Sequence, residues 1–491
     1  MRFILLLFFF LFSHLLSFSQ GLNNLFMFGF NQNGNTPCNM DLQGGTPVLN
    51  TETRGMNLNA SHANITDSVG NLLFYTNGVY IADRTNDTMQ NGGGLNPSTF
   101  TYSYRNLGLR LPQSDLIIPM PGSYTVYYLF HCTIDDGFSS FLAGKYFYAS
   151  EIDMHGNGGL GEVIDKNHIL LTDTITGGNI TACKHANGRD WWVVVPEYPH
   201  PCYYVFLVTP DTIMLSSKQT IGIRTISSGQ MVFSKDGTKF GSYDATTDIE
   251  VFDFDRCTGT FSNPIFVPIN DGQFGIGCGF SPDATKFYAS SAQTLYQIDL
   301  TAANVAASLD TVAQWDSTMG LPNQTEFLLQ QLGPDDKIYI NSVFASNYLS
   351  VIDSPNNNGI ASNVLQQAMT LPCLCDGTMP NHPNFFLGPV TGSICDSLST
   401  GIKPAEQKPI EVKLSPNPAN GEVYVLYDFA YQKNGKVELI DVQGRILYQQ
   451  SLYWSGRQLQ LHIGNYANGL YEVRVSDELG RRGSKKLVIQ H

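Results

Sequence analysis

Two carboxylates facing each other across a sugar can cleave a glycosidic bond, one giving a proton while the other assists attack. Asp135-Asp136, Glu197, Glu326 and Asp335-Asp336 are the acids here that could form such a pair. Their spacing brings no two of them together, and acids beside turns are common in any turn-rich chain. Asp253-Phe254-Asp255-Arg256-Cys257-Thr258-Gly259 has two oxygen ligands of a calcium loop and lacks the rest; Asp residues capping a strand end are the simpler reading. His62, His131, His155, His168, His185, His200 and His382 are dispersed, with no HExxH pair. Neither a GxSxG elbow nor a Gly-rich phosphate loop before a helix is present. The sequence therefore specifies no catalytic residue, no metal set and no cofactor, and it leans toward binding rather than catalysis.

What must position any site is a repeated sheet. Gly277–Leu300 shows its plan: Phe280, then a tight polar turn (Ser281-Pro282-Asp283-Ala284-Thr285-Lys286), then an alternating strand at Phe287-Tyr288-Ala289, then a strand ending Tyr296-Gln297-Ile298-Asp299. Equivalent turns stand at Asp67–Asn71, Pro121–Ser123, Asn187–Asp190, Ser234–Lys239 and Gly333–Lys337, each leading into an apolar strand. Asp-Gly and Asn-Gly supply the positive φ that tight hairpins need. In Ser234-Lys235-Asp236-Gly237 the Asp and Gly are adjacent, whereas the sialidase Asp box keeps a residue between them, so this too reads as a hairpin. A lone four-stranded sheet cannot bury both faces, so the units must stack around an axis. A spacing of about 50 residues fits four-stranded, WD40-like propeller blades.

Six units are visible. The strand Leu25–Phe30 and a late strand Asn384–Leu387 are expected to combine into one closing blade, which gives a seven-bladed β-propeller, with six blades as the alternative. Several closing strands end on Asp, at Asp153, Asp255, Asp299 and Asp353. Cys38 bonded to Cys373, Cys375 or Cys395 would latch the ring.

Composition agrees with an all-β protein. The chain has 491 residues, 12% aromatic and only 14% charged, with 46 Gly. A net charge of −14 argues against nucleic acid or anionic membrane, which demand clustered Lys and Arg. Residues 1–19 carry one basic residue, an apolar run and small residues before Gln20, the layout of a signal peptide cleaved between Ser19 and Gln20. All nine cysteines lie between that segment and residue 400. Export exposes them to oxidation, so some should pair, and an odd number leaves at least one unpaired within the chain. Cys373-Leu374-Cys375 has no second Cys/His pair at zinc spacing.

The propeller is expected over 20–390 and a polar, proline-punctuated linker over 391–411. From residue 412 the chain changes character, with six alternating strands, no cysteine, and ten Lys/Arg against eight Asp/Glu over 411–491, leaving −16 for the remainder. A small β-sandwich is expected over 412–491.

This last domain resembles the type A C-terminal sorting domain of the type IX secretion system of Bacteroidetes-type bacteria. The resemblance rests on Leu414-Ser415-Pro416-Asn417-Pro418, Val437–Arg445, Asn468–Val475 and Lys485-Lys486-Leu487-Val488-Ile489. Within it Pro416, Asn417, Pro418, Gly444, Gly469, Tyr471, Lys485 and Lys486 are the sorting-signal positions. It implies a partner, the type IX machinery, and release outside the cell or attachment at the outer surface. Gly70–Gly78, Met89–Gly92, Gln113–Pro119, Asn157–Val163 and Lys184–Trp192 are similar to propeller proteins linked with gliding motility in the same bacteria. The expected whole is a secreted or surface-exposed, monomeric binding or adhesion module for an unknown glycan or protein. An extracellular hydrolase or lyase acting on polysaccharide or peptide is the alternative.

Overall fold

The computed structural model describes residues 21–31, 34–135, 143–223, 229–244, 248–320, 322–396, 410–427, 435–442, 445–452, 458–477 and 482–491. The expected signal peptide with Ser19 and Gln20, Asp136, Gly444 and most of the expected 391–411 linker lie outside them. The chain divides into two compact units, Met1–Leu398 and Ser399–His491.

The first unit is a many-stranded, propeller-like assembly of antiparallel sheets. It opens with a three-stranded sheet: Leu25–Phe28, Cys38–Asp41 and Val48–Thr51. Two four-stranded meanders over 63–93 and 115–176 follow, joined into one sheet by a parallel bridge between Gln90 and Glu162. Four more four-stranded sheets span 181–220, 230–267, 277–314 and 327–375. Each of the six polar turns read from the sequence joins the first strand of a four-stranded unit to its second. The Asp-terminated strands are third strands rather than closing ones: Ala143–Asp153, Asp248–Asp255, Thr294–Asp299 and Ser346–Ile352 are each followed by a fourth.

In three of these units an acid at or near the end of the third strand has a repeated partner, and in one of them it is Asp253 rather than the strand-ending Asp255. Lys239 reaches Asp253 at 2.8 Å, Lys286 reaches Asp299 at 3.0 Å and Lys337 reaches Asp353 at 2.6 Å, so a lysine opening the second strand grips an acid on the third. The turns close on their own side chains. Asp236 accepts from Ser234 Oγ, Thr238 N and Thr238 Oγ1, and Asp283 accepts from the matching Ser281 and Thr285 groups. Gly237 sits at φ +72°, where a β-carbon would be strained.

First strands stand side by side. Thr181–Lys184, Gln230–Phe233, Gly277–Phe280 and Phe327–Leu332 follow one another, as do Leu25–Phe28, Ala63–Thr66 and Asp115–Pro119. They approach so closely that a β-carbon on Gly277 would fall 1.6 Å from Leu328 O. Between the sheets lie aromatic layers. Phe240 stacks on Phe252 at 5.9 Å, and Tyr203 meets Phe240 edge-on at 5.5 Å, all three fully buried.

The closing arrangement differs from expectation. Leu25–Phe28 runs opposite to Ala63–Thr66, with Thr66 N donating to Leu22 O and Asn64 Nδ2 to Leu25 O. The three-stranded sheet therefore lacks an innermost strand in the direction the other units use. Residues 376–390 take that place without forming a strand, and Asn384–Leu387 are a turn. Pro380, Pro383 and Pro389 have no N–H to give a ladder. Side chains bind this strap instead. Asn381 Nδ2 donates to Asp115 O and Ile180 O, His382 Nε2 lies 3.1 Å from Asn64 O, and Arg256 Nη2 donates to Gly388 O. The strap runs from the side of Asn59 and Asn341 across the axis to Ala186, whose carbonyl accepts from Val390 N.

Cys38 and Cys373, with Cα atoms 5.6 Å apart, stand in bonding position at the start of the strap, and Cys257 and Cys395, at 5.7 Å, beyond its end. Cys375 is buried and donates to Thr378 O.

In the second unit, one three-stranded sheet (Val412–Ser415, Glu422–Tyr427, Gln458–His462) and one four-stranded sheet (Gly435–Ile440, Ile446–Leu452, Gly469–Asp477, Arg482–Ile489) share an apolar core. Val423, Val425, Val437, Val473 and Leu487 are at its centre.

Candidate functional site: the axial cavity

The innermost strands leave a cavity of about 200 Å³ on the axis of the first unit. Its walls come from the ends of first strands in the sheets over 181–220, 230–267, 277–314 and 327–375, and the strap residues Asn381–Asn384 and Phe386 form the remaining side. The surface combines amides with aromatic rings. Gln113, Gln330 and Asn381 supply the first, and Phe233, Phe280 and Phe386 the second.

Glutamines hold neighbouring strands in place by imitating backbone. Gln230 Oε1 accepts from Cys278 N and Gln330 N at 3.0 Å each, while its Nε2 donates to Gln330 O at 2.6 Å. Gln330 Nε2 donates to Ser290 Oγ at 2.9 Å. Its Oε1 has no protein partner although the residue is 1% exposed, and it lies 2.9 Å from where a β-carbon on Gly279 would stand. His382 Nε2 faces only acceptors on Asn64, so it carries the proton and Nδ1 is a bare acceptor, again without a protein partner. Burial pulls His382 down to about 4, which keeps it neutral at pH 7. Burial also holds the Cys278 thiol well above its ordinary range. Among the described residues Lys235 is the one charged residue lining the cavity, and it is paired with Asp336.

The candidate acids lie elsewhere. Asp135 accepts from Lys145 N and Tyr146 N, Glu197 pairs with Lys218 at 2.9 Å, and Glu326 accepts from Gln293 Nε2 at 3.0 Å. Asp335 accepts from Tyr339 OH at 2.8 Å. Asp335 and Asp336 follow the lining residues Gly333 and Pro334 without lining the cavity themselves, and Asp336 pairs with Lys235. Asp255 caps its own turn by accepting from Cys257 N and Thr258 Oγ1. Among the described residues no three of His, Cys, Asp and Glu converge as metal ligands would. Sequence reasoning missed the glutamines that tie the innermost strands together, two of which, Gln113 and Gln330, line the cavity. The signal available was an amide in or beside an otherwise apolar first strand, at Gln113, Gln230 and Gln330.

In the second unit, Asn417 joins the last strand as a ladder residue would: its Nδ2 donates to Lys486 O at 2.7 Å and its Oδ1 accepts from Val488 N at 2.9 Å. Pro416 and Pro418 flank it in an exposed bend. Gly469 begins a strand, and Tyr471 OH donates to Ala467 O at 2.8 Å. Lys485 and Lys486 are exposed on the neighbouring strand.

An all-β, propeller-like body followed by a second β unit is the class the architecture defines. Residues 413–490 match the family described as a secretion system C-terminal sorting domain. This domain directs the chain to the type IX secretion machinery and so to the cell surface or the medium. No curated protein matched the chain. Solved structures similar to it include a protein from Lactobacillus plantarum (13% identity, 72% of this chain and 98% of that one, TM-score 0.38). A protein from Desulfotomaculum acetoxidans DSM 771 is 12% identical over 73% and 99%, with a TM-score of 0.37. The periplasmic gluconolactonase PpgL of Pseudomonas aeruginosa is 11% identical over 90% and 99%, at 0.35. None of these likenesses carries an argument about ligand or reaction.

Proposed function

We propose that this chain is an extracellular binding module: a signal peptide over 1–19, a seven-bladed propeller over 20–390, a linker over 391–411 and a β-sandwich sorting domain over 412–491. The three-stranded sheet with its strap counts as the seventh blade, and the Cys38–Cys373 bond is its latch. The propeller holds its ligand as a monomer, and the tail serves delivery through Pro416, Asn417, Pro418, Gly444, Gly469, Tyr471, Lys485 and Lys486. A Bacteroidetes-type source fits the sorting domain.

The observation that carries binding is the axial cavity, whose lining has amides, rings and a neutral imidazole and, among the described residues, no carboxylate. Acid/base cleavage of a glycan needs two carboxyl groups within roughly 5–10 Å of one bond, and the candidate acids are tied into separate turns and strands. The test is a glycan and protein array probed with the mature protein, together with product analysis of each bound ligand by mass spectrometry. Binding without turnover supports the module. Turnover of any bound ligand overturns it in favour of the hydrolase or lyase.

A further inference from the structure

Resting on the binding reading, we propose that the first unit docks a basic segment of protein, with Lys or Arg interspersed among large apolar residues, on the end away from its six polar turns. Topology places the surface. In a four-stranded meander the first-to-second and third-to-fourth turns share one end. The second-to-third turn and the link to the next sheet share the other. The links 221–229, 268–276 and 315–326 and the turns 244–248 and 343–345 therefore gather at one end of consecutive sheets. Hydrogen bonds join them: Asp248 accepts from Ile269 N at 2.8 Å, Asp271 from Ser291 Oγ at 2.6 Å, and Ala345 O from Asn323 Nδ2 at 2.9 Å.

Each of the three links, and the turn 343–345, holds a large apolar side chain in solvent. These are Ile223, Phe274, Met319 and Phe344, all between 48% and 61% exposed. One exposed apolar residue is ordinary. One on each of four segments at the same end of the fold is the pattern of a docking surface. None of the four lines the axial cavity, so this surface is separate from it.

Charge selects the partner. Asp244, Asp248, Asp271, Asp316 and Glu326 stand in these same links and turns, whose sequence has a single base, Arg224, outside the described residues. Among the described residues Asp248, Asp271, Asp316 and Glu326 have no Lys, Arg or His partner, and their hydrogen bonds come from neutral donors. Burial above all, with Asp244 and Asp271 adding to it, holds Asp248 above its ordinary range. Asp316 is exposed and Asp248 and Asp271 are half-buried, so their charge reaches the surface. A cation arriving there relieves the crowding and an anion worsens it, so the partner is basic. The four apolar side chains call for apolar groups opposite them, which a protein segment brings and an inorganic cation does not.

Fluorescence anisotropy on the mature protein tests this with three short synthetic peptides. One alternates Lys with Leu and Phe, one alternates Lys with Ser and Gly, and one alternates Glu with Leu and Phe. The first should bind about tenfold or more tighter than either of the others, a gap of roughly 1.4 kcal/mol, and should weaken as salt rises. Phe274→Ser with Phe344→Ser should weaken it by about tenfold, and Asp271→Asn with Asp316→Asn should flatten its salt dependence. Both rings are exposed, so the first pair keeps the test open should the second fail to fold. Tyr124→Ser, in a first-to-second turn and almost wholly exposed, should change nothing. Equal binding of the Lys-Ser-Gly peptide reports only attraction to a chain of net charge −14 and overturns the surface. Binding that the Phe pair leaves unchanged, or that Tyr124→Ser weakens as much, overturns it too. Preference for the Glu peptide overturns the partner's charge. Silence from all three peptides overturns the proposal; ligands found on the glycan and protein array then still support the binding module, and turnover of any of them overturns that module instead.

Discussion

Gln113 and Met231, 118 residues apart, pair as if they were neighbours in one ladder: Gln113 Nε2 donates to Met231 O at 2.9 Å and its Oε1 accepts from Met231 N at 2.9 Å. A side-chain amide thereby supplies the hydrogen bonds that two diverging innermost strands cannot exchange directly. Gln113→Leu strands both backbone groups of the fully buried Met231. We expect a loss of about 1–3 kcal/mol for each group left unmatched, read as a lower urea midpoint. An unchanged midpoint would show that this amide is dispensable.

The aromatic layer between the sheets over 181–220 and 230–267 should be the costliest place to remove bulk. Phe240→Ala leaves a gap facing Tyr203, Phe252 and Phe261. About 3–5 kcal/mol should be lost, measured by chemical unfolding. A loss below 1 kcal/mol contradicts the packing described.

The three Lys–Asp pairs are geometrically alike but differ in exposure. The side chain of Lys286 is 7% exposed, against 27% for Lys239 and 41% for Lys337. Lys286→Met should therefore destabilise more than the other two, because it removes the most buried of the three lysines from Asp299, the least exposed of the three acids at 21%. Lys239→Met should cost no more than about 1 kcal/mol. Equal losses in parallel melts would contradict the ordering.

Stability should fall as pH drops from 7 toward 5. Burial lowers His131 to about 3 and His382 to about 4, and it holds His62 well below its ordinary value. In the unfolded chain all three take up a proton near pH 6.5. Their stabilisation is complete above that pH and is lost as pH falls toward the folded values, by roughly 1.4 kcal/mol per pH unit for each proton. Asp115 works against this. Burial raises it to about 6, outweighing the Ser61 and Ser114 hydrogen bonds that favour its charge, so its contribution is full below about 4 and fades as pH rises through about 6. Three histidines outweigh one aspartate. Urea midpoints at pH 5 and 7 should show the drop, and His131→Gln should flatten it; a midpoint higher at pH 5 contradicts the sign.

The disulfide geometry has a covalent readout. Peptide mapping of the non-reduced mature protein should recover Cys38 with Cys373 and Cys257 with Cys395. Cys132, Cys183, Cys202, Cys278 and Cys375, all buried, should alkylate only after unfolding. Recovery of Cys38 bonded to Cys375 or Cys395 would contradict the arrangement.

Local chemistry made the six hairpin turns legible in advance, because Asp236 and Asp283 act on residues within a few positions of themselves. The closing segment was harder. Phe385-Phe386-Leu387 reads as a strand by composition, and the prolines around it, which forbid one, are also common in ordinary loops. The cavity was not legible at all. Gln113, Gln230 and Gln330 meet only because the sheets stack in order, and no local pattern states where a chain returns to its axis.

The strap has a consequence for how such a protein can be finished after export. By residue 395 it has made its bonds to Asp115, Ile180, Ala186 and Arg256, all within the body it completes. A protease cutting beyond that point leaves each of these bonds in place. The address can be discarded on arrival without unfastening the parcel.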